Sequence, residues 1–388
     1  MLTLGIDAFI SRKEWSGVEW YTYHLLRAMT KMTPPDWRVF LYSMDLPQLP
    51  VTDYQLPITN PVWQWRRLAW PPKRGWREMR LSWEMLRRPP DVFFASGGPI
   101  PFWHPHGKKG KTVTTIHDVA FLSHSERYQP MDFLRQKLAL SRAIHQADLI
   151  FTPSEATRNE LWPLLHGEPP VSVTPLGVDH ERYHTKPISE DRLQNILQQY
   201  RLSQPYLFYV GRLDAKKNLE TLIEAYVRWT QRAPRAGAGE EPLRLALAGP
   251  AGWKSEILQN LIRERRAENL VRWIGFVAEE DLPLLYRGAH AFVFPSLAEG
   301  FGLPVLQALS CGLPTLASDI PALHEVAGEA ALFADPNSVE AWTESLECII
   351  NDQTLRQKFA VSGPLRSQSF SWDRTAKLTW EGIMNVIE

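Results

Sequence analysis

The pattern in this chain best suited to chemistry is a carboxylate beside a glycine-containing loop that leads into a helix. It lies in SLAEGFGLPVLQALSCGLP, residues 296–314, where Glu299 directly precedes the loop GFG. Pro304 would stand in the first helical turn, where its missing N–H leaves no hydrogen bond unmade. Gly312 would take a left-handed conformation after the last turn. The segment therefore predicts a short helix whose N-terminus lies close to Glu299.

The backbone N–H groups at this helix start predict an anion site. Those of Phe301, Gly302 and Leu303, which follow Gly300, would gather at the positive end of the helix. A carboxylate beside an anion site suits a ligand that carries both phosphate and hydroxyl groups. The alternative is a glycine-rich turn that only starts a core helix, because short motifs also occur by chance.

A basic loop in VGRLDAKKNL, residues 210–219, is the second candidate for phosphate chemistry. Arg212 and Lys217, just after Gly211, would lie between the carboxyl end of a strand and a helix that begins near Asn218. Arg supplies several planar donors and Lys a mobile point charge, so the two suit a diphosphate leaving group. A solvated basic loop is the alternative.

A third candidate is His117-Asp118, which follows the strand pattern TVTTI. His117 could hydrogen-bond a sugar hydroxyl, and Asp118 could orient the loop; a histidine satisfied within its own loop is the alternative. Gly17 precedes a helix whose N-terminus could approach phosphate. Its surroundings lack the GxGxxG fingerprint, so the sequence does not favour nicotinamide binding.

Several other known functional motifs are incomplete or missing in this sequence. GKKGKT, residues 107–112, ends like a P-loop, but Pro105 replaces the first glycine and a strand pattern follows. The Asp-x-Asp metal motif of many sugar-nucleotide enzymes, the GxSxG nucleophile motif and clustered Cys/His ligands are missing. We therefore expect no metal and no cofactor beyond the substrate.

Composition narrows the class of protein. The 388 residues suit two α/β domains, and 43 basic against 43 acidic residues argue against a general nucleic-acid binder. Two cysteines, Cys311 and Cys348, cannot form a disulfide framework. The first residues lack a signal-peptide pattern, and no apolar run reaches membrane-spanning length. We expect a soluble, cytoplasmic protein.

Residues 61–90 are rich in Trp and Arg and admit two interpretations. One is a basic, aromatic surface for an anionic membrane or a lipid-linked acceptor. The other is an amphipathic helix over residues 78–88 that docks Met79, Trp83 and Leu86 on its own sheet and leaves its Arg face in water.

Short apolar runs alternate with helical patterns in both halves of the chain, which predicts right-handed βαβ units and parallel sheets covered on both faces. Eleven strands are predicted: 2–9, 38–44, 91–96, 111–118, 148–154, 171–177, 206–212, 243–249, 271–276, 291–296 and 314–318. Because ligands bind at the carboxyl ends of such strands, the three candidates above stand where a site is expected.

Read in order, these motifs resemble the retaining GT-B glycosyltransferases of family four, and within it the mannosyltransferase-like members that build polysaccharide or O-antigen chains. The resemblance rests on Gly17, TIHD, PLGVD, VGRLDAKKNL, the run from GFV to SCGLP and ASDIPALHEVAGEAALFADP. It implies an α/β chain with two Rossmann-like, doubly wound domains facing a cleft. The bounds expected are 1–180 for the acceptor-side domain, 181–203 for a linker, 204–370 for the nucleotide-sugar domain, and 371–388 for a helix that crosses back.

The resemblance also implies roles for the site residues. Arg212 and Lys217 would bind the donor diphosphate together with backbone amides at Gly17 and at 301–303, Glu299 would hold sugar hydroxyls, and His117 would lie near the reacting face. One position departs from the family pattern. The second of two glutamates separated by seven residues is here Gln307, which keeps an acceptor oxygen for the ribose hydroxyls but loses the charge.

The sequence thus predicts a retaining, metal-independent hexosyltransferase with GDP-mannose as the favoured donor and a saccharide or lipid-linked acceptor. Glucosyl transfer from UDP- or ADP-glucose is the next alternative. A sugar-nucleotide epimerase, which would act without an acceptor, and a non-catalytic sugar-nucleotide-binding homologue remain as other classes.

Overall fold

The protein is described by a computed structural model over residues 1–8, 17–45, 60–70, 75–232 and 243–388. Residues 9–16, which precede Gly17, and residues 71–74 of the Trp- and Arg-rich segment lie outside the described ranges. The strands are β1 (Leu2–Asp7), β2 (Trp37–Ser43), β3 (Trp63–Arg67), β4 (Val92–Ala95), β5 (Lys111–Thr115), β6 (Leu149–Thr152), β7 (Val171–Val173), β8 (Tyr206–Val210), β9 (Arg244–Ala248), β10 (Val271–Gly275), β11 (Ala291–Phe294), β12 (Thr315–Ser318) and β13 (Leu332–Ala334).

The helices alternate with these strands as the sequence predicts. They are α1 (Gly17–Lys31), α2 (Ser82–Arg87), α3 (Ala120–Ser123), α4 (Pro130–Gln146), α5 (Glu155–Leu165), α6 (Glu190–Gln199), α7 (Leu219–Arg232), α8 (Ser255–Glu264), α9 (Leu282–Gly288), α10 (Leu303–Ser310), α11 (Pro321–Ala327), α12 (Val339–Asn351), α13 (Gln353–Ser367) and α14 (Trp372–Asn385). A π-helical turn, Trp76–Leu81, runs directly into α2.

Two parallel, doubly wound sheets organise the chain. Their strand orders are β3-β2-β1-β4-β5-β6-β7 and β10-β9-β8-β11-β12-β13. The predicted parallel α/β class is confirmed, and each predicted strand forms. Strands such as β4, β6 and β11 are buried along their whole length because helices cover both faces, which explains their continuous apolar runs. β3 and β13 were not predicted; both lie at sheet edges.

The chain divides into two compact units. One holds residues 1–119, 130–177 and 370–388, and the other holds residues 120–129 and 178–369. Residues 181–203, expected as a linker, belong to the second unit, and α6 within them packs against α9. A stretch without a strand pattern can still contribute an amphipathic helix to a domain core, which is why the sequence suggested a connector there.

The C-terminal helix α14 belongs to the first unit, where it packs against α1. Its N-cap is Ser371, whose hydroxyl accepts from the backbone N–H of Arg374 at 3.2 Å. Thr375 Oγ1 donates to the carbonyl of Pro175 at 2.6 Å, and Trp380 Nε1 donates to the carbonyl of Met29 at 3.3 Å. Those bonds fasten the end of the chain to the first unit.

The helix over residues 78–88 docks with a different face from the one predicted. Trp76, Leu81 and Met85 are buried in the core of the first unit, in a cluster that includes Phe40 and Phe93. Met79, Trp83 and Leu86 are exposed instead, so the prediction that they dock on the sheet is wrong. The reason is that Trp76, Leu81 and Met85 fill the core-facing positions of the π-helical turn and α2.

Candidate active site

In the second unit, the predicted phosphate and sugar residues lie at the point where the strand order reverses. β8 and β11 are neighbours in the sheet, and the chain leaves each of them toward an opposite side. Arg212 and Lys217 follow β8, and Glu299 follows β11. Ligands of doubly wound sheets bind beyond the carboxyl ends of the strands at this reversal, so these residues stand where a ligand is expected.

Lys217 and Glu299 form the central contact of this site. Lys217 Nζ lies 2.5 Å from Glu299 Oε1, and the two side chains are only 15% and 13% exposed. Lys217 Nζ also lies 5.3 Å from the centroid of the Phe294 ring. Because an ammonium has three N–H donors, Lys217 can keep its contact with Glu299 while it donates to a phosphate oxygen.

Asn218 fixes this contact, and the sequence reasoning did not find it. Its side-chain amide is buried and donates to the carbonyls of Pro295 at 3.2 Å and Pro336 at 2.7 Å. The backbone of Leu297 also donates to the carbonyl of Lys216 at 3.1 Å. The loop after β8 is therefore tied to the loop after β11. The available signal was an Asn placed directly before a helix, where its left-handed backbone is tolerated.

Arg212 lies on the same loop as Lys217 but is 64% exposed. Its Nε lies 3.5 Å from Asp214 Oδ1, and that oxygen also accepts from the backbone N–H of Trp253 at 3.0 Å. Asp214 was another residue that the sequence reasoning did not single out. Asp214 thus pairs with the exposed guanidinium of Arg212 on the loop after β8.

Two glycines give the Arg212 loop its course. Gly211 has φ +156° and Gly249 has φ +138°, conformations that favour glycine. A Cβ on Gly249 would collide with the carbonyl oxygen of Gly211. Gly249 was missed by the sequence reasoning, although the strand run LALAGP points to a glycine at a strand end, where another backbone approaches closely.

The GFG loop and the start of α10 have the geometry that the sequence predicts. Gly302, with φ +106°, is the N-cap of α10, Pro304 stands in the first turn, and Gly312 has φ +68° after the helix. The carbonyl of Gly302 accepts from the N–H of Leu306 at 3.1 Å. Glu299 thus comes three residues before the N-cap, with Gly300 and Phe301 between them.

The side-chain oxygen of Gln307 on α10 accepts a hydrogen bond from a tyrosine. The hydroxyl of Tyr286 lies 3.2 Å from Gln307 Oε1 and 3.2 Å from the carbonyl of Pro304. Burial raises the pKa of Tyr286 well above its usual value, so its hydroxyl stays protonated as a donor. The Gln307 side chain is therefore held by α9 through Tyr286.

Tyr183 connects this region to a half-buried carboxyl. Its hydroxyl donates to Glu279 Oε1 at 2.6 Å, and its ring lies 5.9 Å from the Tyr286 ring, edge to face. Burial is the main reason that the pKa of Glu279 is raised to about 7, while the Tyr183 hydrogen bond and the charge of Arg182 lower it. Glu279 is a titrating group that the sequence reasoning did not identify.

Glu279→Gln is expected to change how stability depends on pH. The usual pKa of the carboxyl is 4.5, so from there to about pH 7 folded Glu279 holds a proton that the unfolded chain has released. The free energy of unfolding then falls as pH rises through this window. The variant lacks this loss, so from pH 5 to 8 it should gain about 1–3 kcal/mol relative to wild type. Denaturant unfolding of both proteins at each pH measures this; a constant difference would contradict it.

In the first unit, His117 lies just beyond β5, two residues after the strand ends. Its Nε2 lies 3.1 Å from the carbonyl oxygen of Ser96. A carbonyl only accepts, so Nε2 carries the proton and Nδ1 is left as an acceptor. Burial lowers the pKa of His117, against the Ser96 bond and the charge of Asp118, and so favours the neutral ring.

An ion pair of Asp7 and Arg77 lies at the strand reversal of the first sheet and was missed by the sequence reasoning. Asp7 ends β1 and is buried, and its Oδ2 lies 2.5 Å from Arg77 Nε. Ser96 Oγ donates to the backbone carbonyl of Asp7 at 2.9 Å, and the backbone carbonyl of Ser96 accepts from His117 Nε2. The signal available was an Asp at the end of the run LTLGID.

The predicted residues fall in both units. In the second unit, Lys217 contacts Glu299, Gly211 and Arg212 lie on the loop that leads to Lys217, and residues 300–303 lead from Glu299 into α10, which carries Gln307. Within the first unit, His117 and Asp118 follow β5, and Gly17 is the first residue of α1. In the ranges that the structure covers, no three His, Cys, Asp or Glu side chains are grouped to hold a metal ion. No helix among the described residues is long and apolar enough to cross a membrane.

Models of known protein families match both units of the chain. The family model described as glycosyl transferases group 1 matches residues 194–365, and that described as glycosyltransferase family 4 matches residues 15–182. The O-antigen chain mannosyltransferase B of Escherichia coli is 35% identical over 280 residues, which is 72% of this chain and 71% of that protein.

Two further proteins are similar to this chain over different shares of their own length. The serotype-specific mannosyltransferase WbdA of Escherichia coli is 30% identical over 296 residues, but this is only 34% of its length. Anabaena Alr3699/HepE, solved in complex with UDP and glucose, has a TM-score of 0.74 and 18% identity over 99% of this chain and all of that one. At that identity the likeness concerns the fold.

Proposed function

The chain belongs to the glycosyl transferases group 1 family with the GT-B fold and is a glycosyltransferase of glycan synthesis, and from this premise we propose that it is a retaining mannosyltransferase that uses GDP-mannose. The acceptor we propose is a saccharide or a lipid-linked saccharide. The names of the Escherichia coli relatives support mannose and a polysaccharide product. The observation that carries the proposal is the Lys217–Glu299 contact at the strand reversal. It holds the cation that we propose binds phosphate beside the carboxylate that we propose binds sugar hydroxyls.

The proposed reaction breaks the bond between the sugar's C1 and the diphosphate oxygen and forms a bond from C1 to the acceptor oxygen. The transition state resembles an oxocarbenium ion, while negative charge grows on the diphosphate. Lys217 and Arg212 stabilise that charge, which is typically the largest catalytic contribution. The acceptor approaches from the face that the diphosphate leaves, and a departing phosphate oxygen takes the acceptor proton. Retention then needs no carboxylate nucleophile.

Glu299 and His117 are proposed to act on the sugar. As a carboxylate, Glu299 accepts hydrogen bonds from two hydroxyl groups, and its contact with Lys217 holds it in place. His117 is neutral with its proton on Nε2, so its Nδ1 accepts from a sugar hydroxyl. Arg212 and Lys217 provide the positive charge that a metal supplies in other sugar-nucleotide enzymes, and we propose that no metal or further cofactor is required.

We also propose a cytoplasmic location with a peripheral membrane contact through residues 61–90. Both cysteines are free, which suits a reducing compartment. The contact would bring the enzyme to a lipid-linked acceptor.

A thermal-shift screen of the full chain tests the donor. We expect GDP and GDP-mannose to stabilise the protein in the presence of EDTA, by about 2.7 kcal/mol at 100 times the dissociation constant. UDP-glucose, UDP-GlcNAc and ADP-glucose serve as controls for the base and the sugar. Stabilisation by UDP-glucose or ADP-glucose instead would show that this sugar nucleotide, and not GDP-mannose, is the donor. No stabilisation by any of them would favour a non-catalytic homologue.

Gln307→Glu is expected to tighten nucleotide binding about fivefold. A carboxylate accepts from the ribose hydroxyls more strongly than an amide oxygen, and hydrogen bonds to charged groups contribute roughly 1 kcal/mol more than neutral ones. The carboxylate also keeps an oxygen for the Tyr286 hydroxyl. Isothermal titration with the free nucleotide measures the effect. Gln307→Ala, which loses the acceptor oxygen, is the matched comparison. Unchanged or weaker affinity of Gln307→Glu would show that Gln307 does not face the ribose.

A further inference from the structure

The side chain of Gln307 has two ends that differ in chemistry. Its oxygen accepts hydrogen bonds through two lone pairs, whereas its nitrogen only donates. A glutamate, which the family pattern has at this position, carries two equivalent oxygens and offers the same acceptors after its carboxylate turns by a half-turn. A glutamine can therefore accept from a ribose hydroxyl only if the protein fixes which end of the amide faces the ligand.

The hydroxyl of Tyr286 is placed to fix that orientation. It lies 3.2 Å from Gln307 Oε1, and burial raises the pKa of Tyr286 well above its usual value, so the hydroxyl keeps its hydrogen. The hydroxyl also lies 3.2 Å from the carbonyl of Pro304, but within α10 that carbonyl is placed to accept from the N–H four residues on. One lone pair of Oε1 can accept from Tyr286 while the other serves a ligand, because Gln307 is partly exposed.

Aromatic side chains hold the ring of Tyr286 in place. Its centroid lies 5.3 Å from those of Phe208 on β8 and Phe292 on β11, and 5.9 Å from that of Tyr183. Tyr183 is anchored in turn, since its hydroxyl donates to Glu279 Oε1 at 2.6 Å. The buried Tyr286 therefore presents its hydroxyl to α10 at one fixed place.

Helix α10 is held beside α9 by other hydrogen bonds as well. Ser310 Oγ, at the C-terminal end of α10, donates to the backbone carbonyl of Tyr183 at 2.6 Å. From α9, Arg287 Nη1 donates to the carbonyl of His184 at 2.9 Å. Because both helices are tied to the same two residues, the loss of the hydroxyl from Tyr286 should leave α10 in place.

We propose that Tyr286 is a positioning residue that orients the amide of Gln307, so that Oε1 and not Nε2 meets a ribose hydroxyl of the bound nucleotide. The inference rests on the proposed function, since it takes Gln307 to be the residue that meets the ribose. It explains how an amide can stand where the family pattern has a carboxylate: the α9 hydroxyl supplies an orientation that two equivalent oxygens do not need. The hydroxyl should therefore matter in the wild type and lose its importance in Gln307→Glu.

The test is a double-mutant cycle in which isothermal titration of the full chain measures the dissociation constant of GDP. Tyr286→Phe, which loses only the hydroxyl, should weaken GDP binding about fivefold, the effect of one hydrogen bond. In the Gln307→Glu background the same substitution should change the constant by less than about twofold. Tyr206→Phe is the matched control, because the Tyr206 hydroxyl is also buried and donates to the carbonyl of Leu285 on α9 at 2.6 Å.

Tyr206→Phe should bind GDP as the wild type does, and the thermal midpoint of each variant shows whether it folds. A loss of equal size in both backgrounds would overturn the proposal, because Tyr286 would then support α10 as a whole. Wild-type affinity of Tyr286→Phe, or of Gln307→Ala, would also overturn it and would leave the proposed transferase function standing. Absence of any nucleotide binding by the wild type would overturn both.

Discussion

Replacing Lys217 with Ala is expected to lower the turnover number about 10²–10³-fold, because the charge that grows on the departing diphosphate would lose one of its donors. Arg212→Ala should act in the same direction, since it belongs to the same loop. Turnover is measured with the donor and an acceptor saccharide at saturation, together with KM for the donor. Lys216→Ala is the matched control, because Lys216 is the neighbouring lysine and its ammonium lies 5.5 Å from the Tyr128 ring centroid instead of at Glu299.

The Lys217–Glu299 contact adds a complication to that experiment. Removal of Lys217 leaves Glu299 mostly buried without its cation, and breaking such a pair costs stability as well as activity. Lys217→Gln keeps a hydrogen-bond donor for Glu299 and loses only the charge. It should lose turnover about as much as Lys217→Ala while its thermal midpoint stays closer to wild type. Near-wild-type turnover of Lys217→Gln would refute the phosphate-binding role.

Glu299→Gln is expected to lower the turnover number by ten- to a few hundredfold. Hydrogen bonds to charged groups contribute about 1.5–3 kcal/mol, and an amide offers the sugar hydroxyls one neutral acceptor in place of a carboxylate. The same assay measures it, and Glu268→Gln, an exposed carboxylate of the same unit, is the control. If Glu299 only anchored Lys217, the double variant Glu299→Gln with Lys217→Gln would lose no more than Lys217→Gln alone.

A loss in the double variant beyond that of either single variant would instead show separate contacts to the ligand. Residues that act as one unit are non-additive, so the cycle distinguishes a shared role from two independent ones. Preserved turnover of Glu299→Gln would rule out the sugar-binding role, whatever the behaviour of Lys217.

Local patterns were sufficient for the architecture and for much of the site. The apolar runs predicted the inner strands of both sheets, because a strand covered on both faces must be apolar throughout. The loop and helix around Glu299 also followed from local chemistry: Gly302 and Gly312 have positive φ angles, which glycine tolerates, and Pro304 occupies the first turn of α10. Such preferences act between residues close in sequence.

Other features depended on which side chains fill the core. β3 and β13 are short edge strands whose pairing is decided by the neighbouring strand more than by their own composition. On α2 and the turn before it, two apolar faces were available, and the face with Trp76, Leu81 and Met85 is the buried one. Composition predicted an amphipathic helix but did not distinguish its faces.

By itself, the sequence determined the parallel α/β class, the alternation of strands and helices, and the placement of Arg212, Lys217 and Glu299 beyond strand ends. The tertiary structure alone decided which of these groups touch. Lys217 and Glu299 are 82 residues apart along the chain, and Asp7 and Arg77 are 70 apart. The first of these contacts exists because the order of strands brings β8 beside β11. Strand order is a property of the whole packed domain, and no local pattern of residue types encodes it.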